Sequence, residues 1–71
     1  MDYLEQIADN LAREVLEVEE VTGDEELAKD VMKTIGASST TLEEAFLTAL
    51  RIRRAEARAL KVISRHRAAP Q

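Results

Sequence analysis

The fold is decided by residues 42–66, which read LEEAFLTALRIRRAEARALKVISRH. This stretch contains neither glycine nor proline, and it is rich in the residues that favour helices most, namely Ala, Leu, Glu, Arg and Lys. Pro70 lies just beyond it, where a helix is expected to have ended. The sequence therefore predicts one long helix over about residues 40–66.

Apolar side chains cover too much of this helix for one neighbour to bury. Projected at 100° per residue they span an arc of roughly 220°, against about 100° for an ordinary surface helix. Arg53 and Glu56 interrupt the arc, and their three-residue spacing predicts that they pair with each other, either at its rim or across a dimer. We therefore expect a second subunit along this helix, with an interface at Phe46, Ala49, Ile52, Leu60 and Ile63.

Two shorter helices are predicted before the long one. Apolar residues at helical spacing predict the first over about residues 3–21, although residues 14–19 partly alternate and leave a short strand open there. Gly23 can close this helix in the left-handed conformation, and Asp24 can cap a second helix over about residues 24–35. Both short helices could pack antiparallel along the third.

The start of the long helix carries two possible capping boxes. They pair Thr40 with Glu43 and Thr41 with Glu44, because a hydroxyl followed three residues later by a carboxylate can satisfy the free N–H groups of a first turn.

The size of the chain points to self-association. Its 71 residues allow one small domain, and without cysteine and with a single histidine it can have neither disulfides nor a zinc cage. Oligomerisation is the remaining way to stabilise it. We therefore expect an all-α fold, with residues 1–67 as one helical domain completed by homodimerisation and residues 68–71 as a disordered tail.

Charge is divided between the two ends of the chain. Residues 1–50 carry 13 acids and 3 bases, net −10, whereas residues 51–71 carry 7 bases and 1 acid, net +6. Five of the bases recur at steps of three and four and so form one basic stripe on the predicted helix: Arg51, Arg54, Arg58, Lys61 and Arg65. The stripe is either a solvated or intersubunit-paired face or a face for an anionic partner.

Catalysis, membranes and bound metals are not indicated. The single histidine, His66, belongs at a helix end, and the acids of residues 17–26 lack the spacing of a calcium loop. No apolar run approaches the roughly 20 residues of a spanning helix. We expect a cytoplasmic, non-enzymatic protein without cofactor, metal, membrane or small-molecule substrate.

Residues 28–45 resemble a helix-turn-helix through Val31, Ile35, Gly36 and Leu42, but the recognition helix would then carry acids that phosphates repel. Through Val31-Met32, Gly36-Ala37 and Ala49-Leu50-Arg51, residues 25–54 resemble the helical part of ribbon-helix-helix antitoxins. The strand that would enter DNA, Glu14 to Glu19, is acidic in this chain. No residue role is transferred from either family. The expected function is that of a regulatory or adaptor protein binding itself and another protein. The alternative is a DNA-binding regulator, antitoxin-like or phage-packaging-like, that uses the basic stripe on nucleic acid.

Overall fold

A computed structural model describes residues 1–68, which form three helices and no strand. The helices are α1 (Tyr3–Thr22), α2 (Leu27–Gly36) and α3 (Thr40–Ala68). The all-α class and the long third helix are confirmed, and the alternative of a strand within residues 14–19 is wrong because α1 runs through them. Ala68, predicted to begin the tail, is the last residue of α3, and the rest of the predicted tail, 69–71, lies outside the described residues.

The core forms where α1 and α2 cover the N-terminal half of α3. Phe46 and Leu50 of α3 are its two large fully buried side chains. They contact small or branched residues of the other helices, namely Ala12, Val15 and Ala28, and a partly buried shell surrounds them. Because alanine has only a methyl side chain, its use on α1 and α2 lets both helices approach α3 closely.

The helices follow an up-down-up course. The first turns of α1 lie beside residues 41–52 of α3, and Glu19 near the end of α1 reaches Arg54. α1 and α3 therefore run in the same direction, and the short α2 returns between them. The expectation that α1 packs antiparallel to α3 is wrong, because each interhelical loop reverses the chain once.

The C-terminal part of α3 projects beyond the other helices. Every residue from Ala55 to Ala68 is exposed, a stretch of about 21 Å at 1.5 Å per residue. The molecule accordingly measures 53 × 29 × 13 Å with a radius of gyration of 14.5 Å, against about 11 Å for a compact domain of this length. Within residues 1–68, no other helix covers the apolar residues of this end.

The loop between α1 and α2 is held by short polar contacts. Gly23 ends α1 with φ 72°, the left-handed conformation predicted for it, and its N–H donates to the Glu19 carbonyl. Asp24 accepts the N–H of Glu26 at 2.9 Å and so holds a turn, which is why α2 begins at Leu27 and not at residue 24.

Ser39 caps α3 in place of the two predicted capping boxes. The N–H of Leu42 donates to its Oγ at 3.1 Å, the usual contact of a residue that precedes the first helical turn. Thr40 is already the first residue of the helix. The predicted start at residue 40 is confirmed, but the capping residue was placed one position too late.

Candidate interaction surfaces on α3

The basic stripe is exposed except at one position. Arg54 donates to Glu19 of α1 at 3.1 Å, and this arginine is half-buried. The other four members are exposed and belong to no ion pair within residues 1–68: Arg51, Arg58, Lys61 and Arg65. Four of the five predicted contact residues therefore form an accessible cationic surface, whereas Arg54 is used to hold α1.

Arg53 holds the other side of α1. Its Nε and a terminal nitrogen donate to the two carboxylate oxygens of Asp9 at 2.7 and 2.8 Å. These hydrogen bonds lower the pKa of Asp9 from its ordinary value and raise that of Arg53. Pairing with Glu56 was predicted instead, and that prediction is wrong, because Arg53 turns toward α1 across 44 positions of sequence and not along its own helix.

A groove of about 600 Å³ opens between α1 and α3 on the face next to this ion pair. Small and apolar side chains line most of it, with carboxylates at its edge: Met1, Leu4, Glu5, Ala8, Asp9, Thr41, Glu44, Ala45, Thr48, Ala49 and Ile52. Nothing in the sequence indicated the α1 wall as a site, because apolar residues at helical spacing are equally typical of a buried face.

The groove continues along α3 as a seam that is apolar except at Glu56. We define the α3 seam as Ala45, Ala49, Ile52, Glu56, Ala59 and Ile63, whose spacing alternates strictly between four and three residues. This is the spacing of residues that face a partner helix in a coiled coil. Ile52 is 63% exposed and Ile63 is 49% exposed. The same alternation stands in the sequence and could have identified the seam there.

The predicted interface residues separate into two groups. Phe46 is fully buried within its own chain and Ala49 is half-buried at the floor of the groove. Ile52, Leu60 and Ile63 remain exposed. Only the last three, with the groove-facing side of Ala49, are accessible to another molecule, because the first turns of α3 are already covered by α1 and α2.

The seam and the basic stripe lie on different sides of α3. At 3.6 residues per turn their centres are roughly 150° apart around the helix axis. A molecule that covers the seam would therefore leave Arg51, Arg58, Lys61 and Arg65 accessible. Two independent surfaces are available on the projecting end of one helix.

The rest of the described surface was compared with the requirements of a pocket, a metal site and a membrane-spanning helix. A second hollow of about 440 Å³ is formed mainly by charged residues around the Arg54–Glu19 pair. Across residues 1–68 no group of three or more His, Cys, Asp or Glu side chains is placed to hold a metal ion. His66 is exposed near the end of α3. In the same part of the chain, no helix combines the length and the apolar character that crossing a membrane requires.

None of the known protein families, curated proteins or solved structures compared with this chain matches it.

Proposed function

We propose that the protein is a small, non-enzymatic regulatory or adaptor protein that acts through protein–protein contacts of its helical surfaces as a homo-oligomer. The observation that supports this most is the α3 seam, whose large apolar side chains are left in solvent by a single chain. Contiguous exposed apolar surface is uncommon on monomers and is typical of interaction sites. Burying Ile52 and Ile63 of the seam, together with Leu60 beside it, in a second subunit would remove that exposure.

Sedimentation equilibrium over a range of protein concentrations tests the homo-oligomer. The informative variant is Ile63→Ser, and the matched control is Val62→Ser, because Val62 is 45% exposed but faces about 100° away from the seam. We expect the wild type and Val62→Ser to associate, and Ile63→Ser to dissociate at least tenfold more readily. A wild type that stays monomeric at every concentration would refute the proposal.

DNA binding is the second candidate, and it is supported by the four exposed members of the basic stripe. Lys61 and Arg65 lie on the projecting end of α3, whereas Arg58 borders the hollow that it shares with acids of the first half of the chain, namely Glu19, Glu25 and Glu26. The net charge of −4 opposes binding to a polyanion at long range, but within a Debye length of about 8 Å the local charge dominates. This candidate also fits an oligomer, since covering the seam leaves the stripe open.

A DNA shift assay at increasing salt separates the two candidates. The test variant replaces Arg51, Arg58 and Lys61 by Glu, and the control replaces Arg13, Lys29 and Lys33 of α1 and α2, which changes the net charge equally. If the stripe contacts phosphates, the wild type and control bind DNA with affinity that falls steeply with salt, by about one slope unit per phosphate contact. Binding retained by the test variant would exclude the stripe as the DNA site.

A further inference from the structure

We infer that the occupant of the groove and seam is a second copy of this chain lying in the opposite direction, so that the end of α3 in each copy fills the groove between α1 and α3 of the other. This rests on the proposed homo-oligomer and specifies its geometry. Three features support it: the spacing of the seam, the sizes of the facing side chains, and the division of charge between the two halves of the chain.

The spacing of the seam is nearly unchanged when the helix is reversed. We place a two-fold axis perpendicular to α3 near residue 54. This axis brings Ile63 of one copy opposite Ala45 of the other, Ala59 opposite Ala49, and Glu56 opposite Ile52. Each position of the seam thus meets another position of the seam over about 27 Å. Glu56, the one charged residue of the seam, then falls near the centre, opposite Ile52 of the other copy.

The facing side chains are complementary in size. The α3 side of the groove has the small, half-buried residues Ala45 and Ala49, whereas Ala8 on the α1 side is already buried in its own chain. The projecting end supplies the larger residues Leu60 and Ile63, which are exposed in a single chain. Large side chains that pack against the alanines on the α3 side of the groove give the interdigitated packing of a helix interface. The reverse pairing, groove on groove, would leave the hollow empty.

Charge decides between the two possible directions. Parallel copies would place the −10 half beside the −10 half and the +6 half beside the +6 half. Opposite copies place each +6 half beside a −10 half, at both ends of the contact. Arg67, one turn beyond Ile63, then comes near Glu44 and Glu5 at the edge of the groove in the other copy. Like-charge contacts weaken an interface and complementary charges fix its register.

The assembly is closed at two copies. The inferred contact uses the groove and the projecting end of each chain at once, in two equivalent ways. A contact in which the same surface of each subunit is used on both sides is isologous and forms a dimer rather than a filament. The basic stripes remain on the outer sides of the paired helices.

Disulfide cross-linking tests the direction, because the natural chain has no cysteine and every introduced thiol is diagnostic. The variants are Ala49→Cys and Ala59→Cys, carrying tags of different size and oxidised either alone or mixed. Opposite copies bring residue 49 of one beside residue 59 of the other, whereas the two residues 59 lie about 15 Å apart. A disulfide needs Cα atoms within about 7 Å. We expect the mixed disulfide to exceed either symmetric one about tenfold.

A second pair, Ala45→Cys with Ile63→Cys, probes the same register and guards against a folding defect in either alanine variant. Far-ultraviolet circular dichroism checks that each variant is helical. Symmetric disulfides from Ala59→Cys alone in a protein that sediments as a dimer would overturn the opposite arrangement but leave the homo-oligomer standing. A wild type that is monomeric at all concentrations would overturn both.

Discussion

At the scale of single residues, the contact between Asp9 and Arg53 shows what local sequence does not contain. Arg53 stands on the part of α3 where an apolar arc is expected, and Glu56 follows three residues later, a spacing at which two side chains of one helix can pair. The structure instead joins it to Asp9 by two hydrogen bonds. A bidentate contact between an arginine and a carboxylate fixes both distance and orientation. It therefore sets the position of α1 on α3.

Replacing Asp9 by Asn should lower the urea midpoint at neutral pH and have less effect in acid. Because the pKa of Asp9 is lowered from 3.8 in the folded chain, the folded state binds that proton more weakly than the unfolded state does. The stabilisation is complete above the unfolded value and is lost as pH falls through the lowered pKa. Urea unfolding of the wild type and Asp9→Asn between neutral pH and about pH 3 measures the difference.

Glu14→Gln on the same helix is the control for this variant, because it removes the same charge from an exposed residue outside the ion pairs of residues 1–68. A difference between the wild type and Asp9→Asn that stays constant over this pH range would show that the ion pair does not stabilise the fold.

At the scale of helices and loops, the sequence predicts the elements well and their ends less well. Helical periodicity and the glycine-free run of α3 are strong local signals, and they place all three helices. The ends depend on which of several polar residues forms the cap. Asp24 closes a turn and so delays α2, and Ser39 precedes two threonines with equal capping chemistry. Such choices are made by backbone geometry, which sequence spacing leaves open.

Replacing Ser39 by Ala should destabilise the protein by about 1 kcal/mol, the usual cost of losing a side-chain cap at a helix start. Thr40→Ala should cost much less, because Thr40 is within the helix and its hydroxyl is not the cap. Urea unfolding of the two single variants measures both free energies. If Thr40→Ala lowers the free energy of unfolding more than Ser39→Ala does, Thr40 and not Ser39 is the capping residue.

The candidate surfaces were partly predictable for similar reasons. The basic stripe follows from spacing alone and four of its five members are exposed, but the use of Arg54 by Glu19 depends on where α1 lies. Phe46 and Ile52 both belong to the apolar arc in sequence. Only packing assigns the first to the core of one chain and the second to solvent. Tertiary contacts between distant positions account for each of these differences.

At the scale of the whole molecule, packing within one chain stabilises the three-helix fold, and packing between two chains would stabilise an oligomer. Phe46 holds three helices of one chain together, whereas Ile63 is 49% exposed at an end that the other two helices, among the described residues, do not cover. The first contact is present at any dilution. The second is made only if another molecule supplies it, and it then stabilises the folded chain in proportion to the logarithm of concentration.

Phe46→Leu and Ile63→Ala should therefore differ in how they depend on protein concentration. We expect Phe46→Leu to lower the free energy of unfolding by about 1 kcal/mol in dilute and concentrated samples alike. Ile63→Ala should have almost no effect in dilute samples and an increasing effect at higher concentration. Thermal unfolding followed by circular dichroism over a hundredfold range of concentration measures both. Equal concentration dependence in the two variants would contradict the assignment of Phe46 to contacts within one chain and of Ile63 to contacts between chains.

The bare end of α3 also gives the protein a built-in reporter. Fourteen residues of helix without side-chain support are close to the limit at which a helix in water persists by itself. In a lone chain the helix should fray near Arg65, so that its backbone amides exchange with deuterium within the shortest labelling times. The amides near Leu50 should stay protected from exchange. If the wild-type protein is concentrated and exchange near Arg65 becomes slower, the change reports association directly.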